Sequence, residues 1–405
     1  MRLAASLLVA MTFNATAFAD SFEKGDNVWL SKQMTREELL PAMTASSDYL
    51  VKNQLADGQF IYIKDPLGKC CRDKADKYSL IRHLGGVYAI LRTHQQQPDA
   101  KYLAAAKAGI DFVLRFRADY SGTQVVYGMN DQVSIGENGF LLIDTVLYDQ
   151  LTGGDTYKQV SADMAKFVSK ALRYDGPFAT SGQWAESQAL IGLVNYAHAT
   201  KKPGVDPAFM ALLQPAREWL TEVQQNKKYS HWSVQALDWY ARVAPDVDPA
   251  MMNYGVTSGE KLLDNVMTSG MGGKQRLIGS RGGKFGSCGV TARNEGLISA
   301  YNLAKRIGKS AEARLFKARI REHLAHALQF QYGLPGNMFE KDPRWSRLAR
   351  LFDLNGGVFN TPRTGFVRVD YVSHHVRAMA SFLEGPGKDP EVGVTMDELT
   401  TPAAH

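Results

Sequence analysis

The sequence has few cysteines, no long hydrophobic run and no dense tract of one charge, and each absence excludes a class of protein. It contains only three cysteines, Cys70, Cys71 and Cys288, in 405 residues. Three are too few for a disulfide scaffold, and no CxxC or HExxH spacing indicates a zinc site. Beyond the amino terminus, no stretch reaches the roughly 18 apolar residues of a transmembrane helix. We therefore expect a soluble chain without a metal or other cofactor and without stable membrane insertion.

Positive charge is in moderate excess and is spread along the chain. Lys and Arg number 47 against 41 for Asp and Glu, which gives a net charge of +6. Without a dense basic tract, this balance argues against a nucleic-acid partner and permits a basic cleft for an acidic substrate.

The amino-terminal residues have the features of an export signal. Arg2 supplies a positive charge, residues 3–10 form an apolar run, and Ala17-Phe18-Ala19 is a small-x-small cleavage site. The apolar run is too short to span a bilayer, which argues against a membrane anchor. The sequence predicts a signal peptide over residues 1–19 and a periplasmic or secreted protein.

Six segments repeat one pattern, a polar opening followed by an apolar helix and a turn. They begin at residues 77, 136, 182, 230, 291 and 369. Each has apolar or small residues around most of its circumference, which is typical of a helix that is buried on most sides. Most of them stop at Gly, Pro or a short polar turn, as helices commonly do. These segments predict six inner helices.

Longer amphipathic segments lie between the repeats and predict six outer helices. They cover approximately residues 35–54, 101–117, 155–173, 207–225, 249–268 and 310–331. Strict alternation of outer and inner helices predicts an all-α fold, an (α/α)6 toroid over residues 20–388, followed by a flexible tail over 389–405. A helical solenoid is the alternative, but its repeats would be more uniform in length.

The long loops all lead from an outer helix into an inner helix. They cover residues 57–76, 120–135, 271–290 and 339–368. Within them, DGQFIYI and GGVFN…TGFVRVDY are typical of short hairpin strands. The long loops must gather at the rim where the inner helices begin, and helix N-termini favour anions. We therefore expect the functional cleft at this rim.

Each inner helix opens with polar side chains that could carry chemistry. Burying such groups is costly unless they pair with each other or face a wet cleft. The candidate catalytic residues are His83, Glu186, His231, Glu295, Asp370 and His374. The candidate substrate-binding residues are Tyr78, Arg82, Glu137, Trp184, Trp232, Arg293, Arg368 and Tyr371. Asp131, Asn138 and His375 lie close by in the sequence, and His375 is better explained as a packed core residue. The alternative for the whole set is a network of structural ion pairs.

The pattern resembles the six-hairpin carbohydrate-active toroids, which include glycosidases, polysaccharide lyases and glucuronyl C5-epimerase-like proteins. The segments that carry the resemblance are DGQFIYIKDP followed by YSLIRHLGGVYAIL, SHWSVQALDWY, and GGVFN…VRVDYVSHHVRAM. They are similar to bacterial toroid proteins with a hairpin, an Arg-His pair and an Arg-x-Asp-Tyr motif. The resemblance implies an enzyme that acts on a polysaccharide or oligosaccharide.

Two chemistries fit the candidate residues. Hydrolysis needs two carboxylates that flank the glycosidic bond. These could come from Glu137, Glu186, Glu295 and Asp370. Elimination or epimerisation needs a base for the C5 proton of a uronic acid and a cation for its carboxylate. The bases available are Tyr78, His83, His231 and His374, and the cations are Arg82, Arg293 and Arg368. The basic charge balance favours an acidic sugar.

A function of another class also fits the fold. A toroid can present its groove as a binding surface, so the chain could be a non-catalytic component of an envelope or export assembly. Modification of a peptide substrate is a third alternative, although the sequence lacks the Cys and His set that a zinc-dependent version would need.

The cysteines give a testable prediction. Cys71 precedes the first inner helix and Cys288 precedes the fifth, so both are expected at the long-loop rim. In an oxidising compartment we expect one disulfide, from Cys288 to Cys70 or Cys71. Peptide mapping of the exported protein without reductant should find the cross-linked peptide, and a reduced sample should lose it. Three free thiols in the unreduced sample would refute the bridge.

Overall fold

The computed structural model describes residues 28–29, 31–66, 78–172, 183–200, 207–244, 247–267, 286–337, 340, 343–360 and 366–389. These ranges contain thirteen α-helices, one short 3-10 helix and four short strands. Within them, no helix is both long and apolar enough to cross a membrane. The expected signal peptide, Cys70, Cys71 and the tail beyond Asp389 lie outside the described residues.

Six inner helices form a closed ring. They are α2 (Leu80–Gln96), α4 (Ile135–Thr152), α6 (Gln183–Thr200), α8 (His231–Val243), α10 (Ser287–Arg306) and α13 (Val369–Glu384). Each packs against the next in this order, and α13 packs against α2. Ring closure distinguishes a toroid from an open solenoid, so the expected (α/α)6 fold is confirmed.

Six outer helices surround the ring. They are α1 (Arg36–Lys52), α3 (Ala100–Leu114), α5 (Lys158–Ala171), α7 (Pro207–Gln225), α9 (Pro249–Met267) and α11 (Ser310–Leu328). Each packs on the inner helix of its own hairpin, as the apolar face of an amphipathic helix must. One further short helix, α12 (Pro343–Leu351), and the 3-10 helix Pro386–Lys388 lie outside the alternation.

Small residues allow inner helices to approach closely. A Cβ atom added to Gly139 of α4 would lie 2.2 Å from the Cα of Ala189 in α6. A Cβ atom added to Gly192 would lie 2.5 Å from the carbonyl oxygen of Gly139. Larger side chains at these positions would push α4 and α6 apart and change the shape of the ring.

The second outer helix ends earlier than the sequence pattern predicted. Residue 117, expected in the helix, instead begins β2 (Arg117–Tyr120), which pairs with β3 (Thr123–Val126). Ser121 and Gly122 connect the strands with φ angles of 51° and 74°. Two consecutive positive φ angles are typical of the tight turn that matches the twist of a hairpin. The Ser-Gly pair therefore favours the hairpin over continuation of the helix.

The loops before the first and last inner helices pair with each other. Strand β1 (Ile63–Lys64) is antiparallel to β4 (Val367–Arg368), with Ile63 opposite Arg368. The sequence predicted hairpins within each loop, and isolated bridges do join Gln54 to Phe60 and Phe359 to Val367. The β1–β4 pairing was not predicted, because it depends on ring closure.

Four histidines of the described ranges are almost fully buried. They are His83, His323, His326 and His375. Burial disfavours the charged ring and lowers the pKa of His83 and His326 to about 4, and of His323 and His375 to about 3. All four rings are therefore neutral at neutral pH.

These histidines predict a loss of stability in acid. An unfolded histidine takes up a proton from about pH 6.5 downwards, whereas the folded rings do so only near pH 4 or below. The neutral rings make their full contribution to the free energy of unfolding above about pH 6.5, and this contribution is lost as the pH falls. The free energy of unfolding should drop by about 1 kcal/mol per buried histidine between about pH 7 and pH 5.5.

Urea unfolding over this pH range measures the effect. The variant His323→Gln should show a shallower pH dependence because it removes one such group. The control His198→Gln changes an exposed histidine in the last turn of α6 and should leave the slope unchanged. A wild-type stability that stays constant down to about pH 5 would contradict the argument.

Candidate functional site

A buried ion pair joins two neighbouring inner helices near the middle of their lengths. Glu295 of α10 has 4% of its surface exposed, and Arg377 of α13 has 2%. Nε of Arg377 donates to Oε2 of Glu295 at 3.0 Å, and Nη2 donates to the same oxygen. Burial by itself would raise the pKa of Glu295, but Arg377 and then His374 outweigh it and lower the pKa. Glu295 is therefore an ionised carboxylate at neutral pH.

The other oxygen of Glu295 orients His374. Nδ1 of His374 lies 2.7 Å from Oε1 of Glu295. Because an ionised carboxylate only accepts hydrogen bonds, Nδ1 carries a proton, and in the neutral form of the ring the lone pair is then on Nε2. The His374 side chain is 16% exposed. The arrangement prepares Nε2 to accept or return a proton.

Aromatic rings surround this histidine. The ring centroid of His374 lies 6.4 Å from that of His231 and 6.3 Å from that of Trp232. Trp184 lies 6.0 Å from His231 and is 65% exposed. Burial first, and then the nearby His374, lower the pKa of His231 to about 3. His231 is therefore a neutral neighbour of His374, and Trp184 presents an exposed aromatic ring.

The guanidinium of Arg377 lies over three aromatic rings. Its carbon is 4.8 Å from the ring centroid of Trp232, 5.6 Å from that of Phe140 and 5.7 Å from that of Tyr88. Cation–π contacts partly replace the water that this charge loses on burial. Trp232 is itself buried, so it supports Arg377 and does not offer a free face to a substrate.

A second charged cluster lies at the start of α13. Nη2 of Arg368 donates to Oδ2 of Asp370 at 2.6 Å, and Nε of Arg82 lies 3.5 Å from the same oxygen. Nη1 of Arg82 also donates to the hydroxyl of Tyr62 at 2.5 Å. Two guanidinium groups share one carboxylate, which leaves a net positive charge. The Arg82 side chain is 43% exposed, so this charge is accessible to an anion.

Cys288 lies in the first turn of α10 and is partly buried. Burial and the neighbouring Asp370 carboxylate raise the pKa of its thiol. Cys288 has no disulfide partner among the described residues. Because Cys70 and Cys71 lie outside them, the disulfide stays a prediction.

Two half-buried glutamates begin neighbouring inner helices. Glu137 lies in the first turn of α4 and Glu186 in the first turn of α6. These turns are in contact, because a Cβ atom on Gly136 would lie 3.1 Å from the Cβ of Ala185. Nε1 of Trp219 donates to Glu186 at 2.9 Å. Glu137 and Glu186 therefore lie in adjoining helix turns.

The structure places His83 and Tyr78 in the core, apart from these clusters. His83 has no exposed surface, and its Nε2 lies 2.9 Å from the carbonyl oxygen of Gly109. Its Nδ1 lies 2.7 Å from the hydroxyl of Tyr78. With both nitrogens held by protein groups, His83 has the geometry of a packing residue and not of a catalytic one. The hydroxyl of Tyr78 also accepts from the backbone N–H of Phe60 at 2.9 Å.

Other residues singled out from the sequence have structural surroundings. Tyr371 is buried against Phe366 and under the guanidinium of Arg368. Asn138 bonds both backbone groups of Val126 and so fixes β3 to α4. His375 is fully buried, as expected, with Nε2 3.1 Å from Oε1 of Gln331.

Arg293 and Asp131 differ in their exposure to solvent. Arg293 is half-buried, and burial lowers the pKa of its guanidinium. Asp131 is exposed in the loop before α4, with a φ angle of 57°.

Sequence reasoning missed Arg377, the residue that keeps Glu295 ionised. A signal was present, because Arg377 follows Asp370 by seven positions and His374 by three in VDYVSHHVRAM. Residues at these spacings share one face of a helix. The spacing therefore places Arg377 on the helix face that carries Asp370 and His374.

Comparisons with known proteins support the fold. No protein-family model and no curated protein matches the sequence. Among solved structures, the GH76A alpha-1,6-mannanase from Salegentibacter sp. HEL1_6 is similar, with a TM-score of 0.55 and 10% identity. The match covers 84% of this chain and 98% of the mannanase chain.

Two inactive variants of the same mannanase match equally well. One, in complex with alpha-1,6-mannotriose, has a TM-score of 0.54 and 10% identity and covers 85% of this chain and 99% of its own. Another, in complex with alpha-1,6-mannotetrose, has a TM-score of 0.55 and 10% identity and covers 85% and 98%. Identity this low establishes the fold alone. The chain thus has the six-hairpin toroid fold of a bacterial alpha-1,6-mannanase, as the sequence pattern predicted.

Proposed function

We propose that the chain is an enzyme that acts on a polysaccharide at the rim where the inner helices begin. The observation that carries the proposal is the chain of contacts from Arg377 through Glu295 to His374. An ionised carboxylate fixes Nδ1–H of the histidine and leaves Nε2 as a base, an arrangement that recurs in proton-transfer catalysis. A purely structural ion pair would not require the third member.

The charge beside this histidine favours an acidic sugar. Arg82 and Arg368 surround the single carboxylate of Asp370, and Arg82 is partly exposed. In the proposed reaction, Nε2 of His374 removes the C5 proton of a uronic acid, and an arginine stabilises the charge that develops on the sugar carboxylate. In elimination the electrons of the C5–H bond form a C4–C5 double bond, the C4–O bond breaks, and the departing oxygen takes up a proton from water. In epimerisation water supplies a proton to the opposite face of C5 and no C–O bond breaks.

Hydrolysis is the second candidate, and the similarity to the alpha-1,6-mannanase supports it. One carboxyl group must be protonated to act as the acid. Glu295 and Asp370 fit that role poorly because each is held in an ion pair. Glu137 and Glu186 are better placed, since both are half-buried in helix turns that are in contact. In this reaction they would flank the glycosidic bond.

The proposed substrate agrees with the expected export signal, because polysaccharides are met in the periplasm or outside the cell. The alternative from another class, a non-catalytic binding component of an envelope assembly, would use the same groove. Binding of glycans without any turnover by the wild type would favour that alternative.

The first prediction of this proposal concerns His374. His374→Gln should lower kcat by about 10²–10⁴-fold while the melting temperature stays close to that of wild type, because the side chain is partly exposed. The assay screens acidic and neutral glycans. New reducing ends report cleavage, ultraviolet absorbance of an unsaturated product reports elimination, and solvent deuterium at C5 reports epimerisation.

The controls separate the two chemistries. The exposed His198, changed to Gln, should retain full activity. An active His374→Gln variant, combined with inactive Glu137→Gln and Glu186→Gln variants, would overturn the histidine mechanism in favour of hydrolysis.

The second prediction concerns Glu295. Glu295→Gln leaves the buried guanidinium of Arg377 without its counter-charge, so the free energy of unfolding should fall by about 3–5 kcal/mol. Urea unfolding measures the change. Glu186→Gln is the matched control, because an amide still accepts the Trp219 hydrogen bond, and its cost should stay within about 1 kcal/mol. Equal stabilities of the two variants would show that the Glu295–Arg377 pair is not important for the fold.

The third prediction concerns Trp184. An exposed indole at a cleft can stack on a sugar ring, so Trp184→Ala should raise KM about fivefold, for a loss of about 1 kcal/mol of stacking, with kcat and melting temperature little changed. Met210→Ala, an exposed apolar residue on outer helix α7, should have no effect. An unchanged KM for Trp184→Ala would exclude stacking at this position.

A further inference from the structure

A cavity of about 640 Å³ opens at the rim opposite the candidate active site. Its walls are the carboxyl-terminal halves of α2, α8, α10 and α13. Asp370, Arg82 and His231 lie in the first turn or so of their helices, whereas the cavity lining extends from the middle of the inner helices, at Glu295 and Arg377, to their last turns, at Arg242 and Lys305. The volume is within the range typical of small-molecule sites. The sequence pattern indicates a site only at the long-loop rim and gives no sign of this cavity.

Buried ion pairs shape the wall of this cavity. Nη2 of Arg92 lies 2.6 Å from Oε2 of Glu384, and the Arg92 side chain is 6% exposed. Oδ2 of Asp238, which is fully buried, accepts from Arg242 at 2.6 Å and from Nδ2 of Asn302 at 2.9 Å. Such pairs hold their side chains in place, so the cavity is preformed and its polar groups have fixed positions.

Positive charge exceeds negative charge around the cavity. Six cationic side chains line it against four carboxylates, an excess of two. Arg377, Arg92, Arg242 and Lys305 are paired with Glu295, Glu384, Asp238 and Asp389 respectively. The excess comes from Arg306 and Lys388, which are exposed at the mouth and form no ion pair within the described residues.

A structural explanation covers only some of these cations. Basic residues in the last turn of a helix complement its dipole, which accounts for Arg242, Lys305 and Arg306. It does not account for Lys388, which follows α13 in the 3-10 helix and faces the same cavity.

The remaining lining groups suit a polyhydroxylated molecule. Gln235, Asn302 and Ser299 offer amide and hydroxyl groups that can donate and accept hydrogen bonds. Trp239 and Tyr88 offer aromatic surface beside Arg242 and Arg92. A wall that combines aromatic rings, amides and surplus positive charge is suited to a sugar that carries an anionic group.

We propose that this cavity is a second ligand site, which binds a small anionic sugar through its carboxylate or phosphate. Arg306 and Lys388 attract the anionic group, and the amides and aromatic rings of the wall contact the sugar. The cavity also reaches Glu295 and Arg377, the pair that orients His374. An anion bound beside Arg377 competes with Glu295 for its guanidinium, so the site is coupled to the proposed active site. Only the coupling rests on the proposed function, and the binding of the ligand does not depend on it.

Isothermal titration of the mature protein tests the site without any assay of activity. The probes are glucuronate, glucose 6-phosphate and glucose. We expect at least one anionic probe to bind, with neutral glucose about tenfold weaker or more. Binding of glucuronate alone or of glucose 6-phosphate alone identifies the carboxylate or the phosphate as the anionic group, and either result supports the site.

Variants locate the binding. The double variant Arg306→Ala with Lys388→Ala should weaken binding about tenfold, because it removes both surplus charges. Arg314→Ala, which removes an exposed arginine from outer helix α11, should not change it. The proposal is overturned if no probe binds, if glucose binds as well as the anions, or if the double variant binds normally. It is also overturned if Arg82→Ala abolishes binding while the double variant retains it.

Discussion

Closure of the ring is the constraint on which the other features of this structure depend. The first and last inner helices, α2 and α13, come from opposite ends of the chain and must pack against each other. Small residues make this possible, since a Cβ atom on Gly86 would lie 3.0 Å from Cγ1 of Val369, and one on Gly85 would lie 3.4 Å from Oγ of Ser373. The β1–β4 pairing closes the same seam at one rim, and the Arg92–Glu384 ion pair closes it at the other. Without closure there is no axis at which distant side chains could meet.

Closure also creates an interior in which a charged group is destabilised by the loss of its contacts with water. Taking a carboxylate or a guanidinium out of water costs several kcal/mol, and mutual attraction offsets the cost only when the geometry is good. Glu295 and Arg377 satisfy this condition through their hydrogen bonds and the aromatic rings around Arg377. Asp144 of α4 shows what happens to a buried carboxyl group that lacks such hydrogen bonds. It is fully buried without a hydrogen-bond partner among the described residues, and burial raises its pKa well above the usual value, so it is neutral.

The central ion pair links the two ends of the toroid. One oxygen of Glu295 bonds His374, on the side of the inner-helix starts, and the other bonds Arg377, which borders the cavity at the opposite rim. The proposed active site at one rim and the proposed ligand site at the other would therefore share the Glu295–Arg377 ion pair. A change in the position of Arg377 would alter the hydrogen bond that fixes the tautomer of His374, and hence its strength as a base.

The helices and their alternation follow from the sequence alone. Hydrophobic periodicity is a local property, and it set the inner and outer helices to within a few residues, apart from the hairpin at Arg117. The tertiary structure decided which polar residues meet. His83 and His374 look alike in the sequence, yet one is enclosed between α2 and α3 and the other lies beside Glu295. The partner of each depends on the rotation of its helix within the closed ring, and that rotation is set by packing against neighbours far away in the chain.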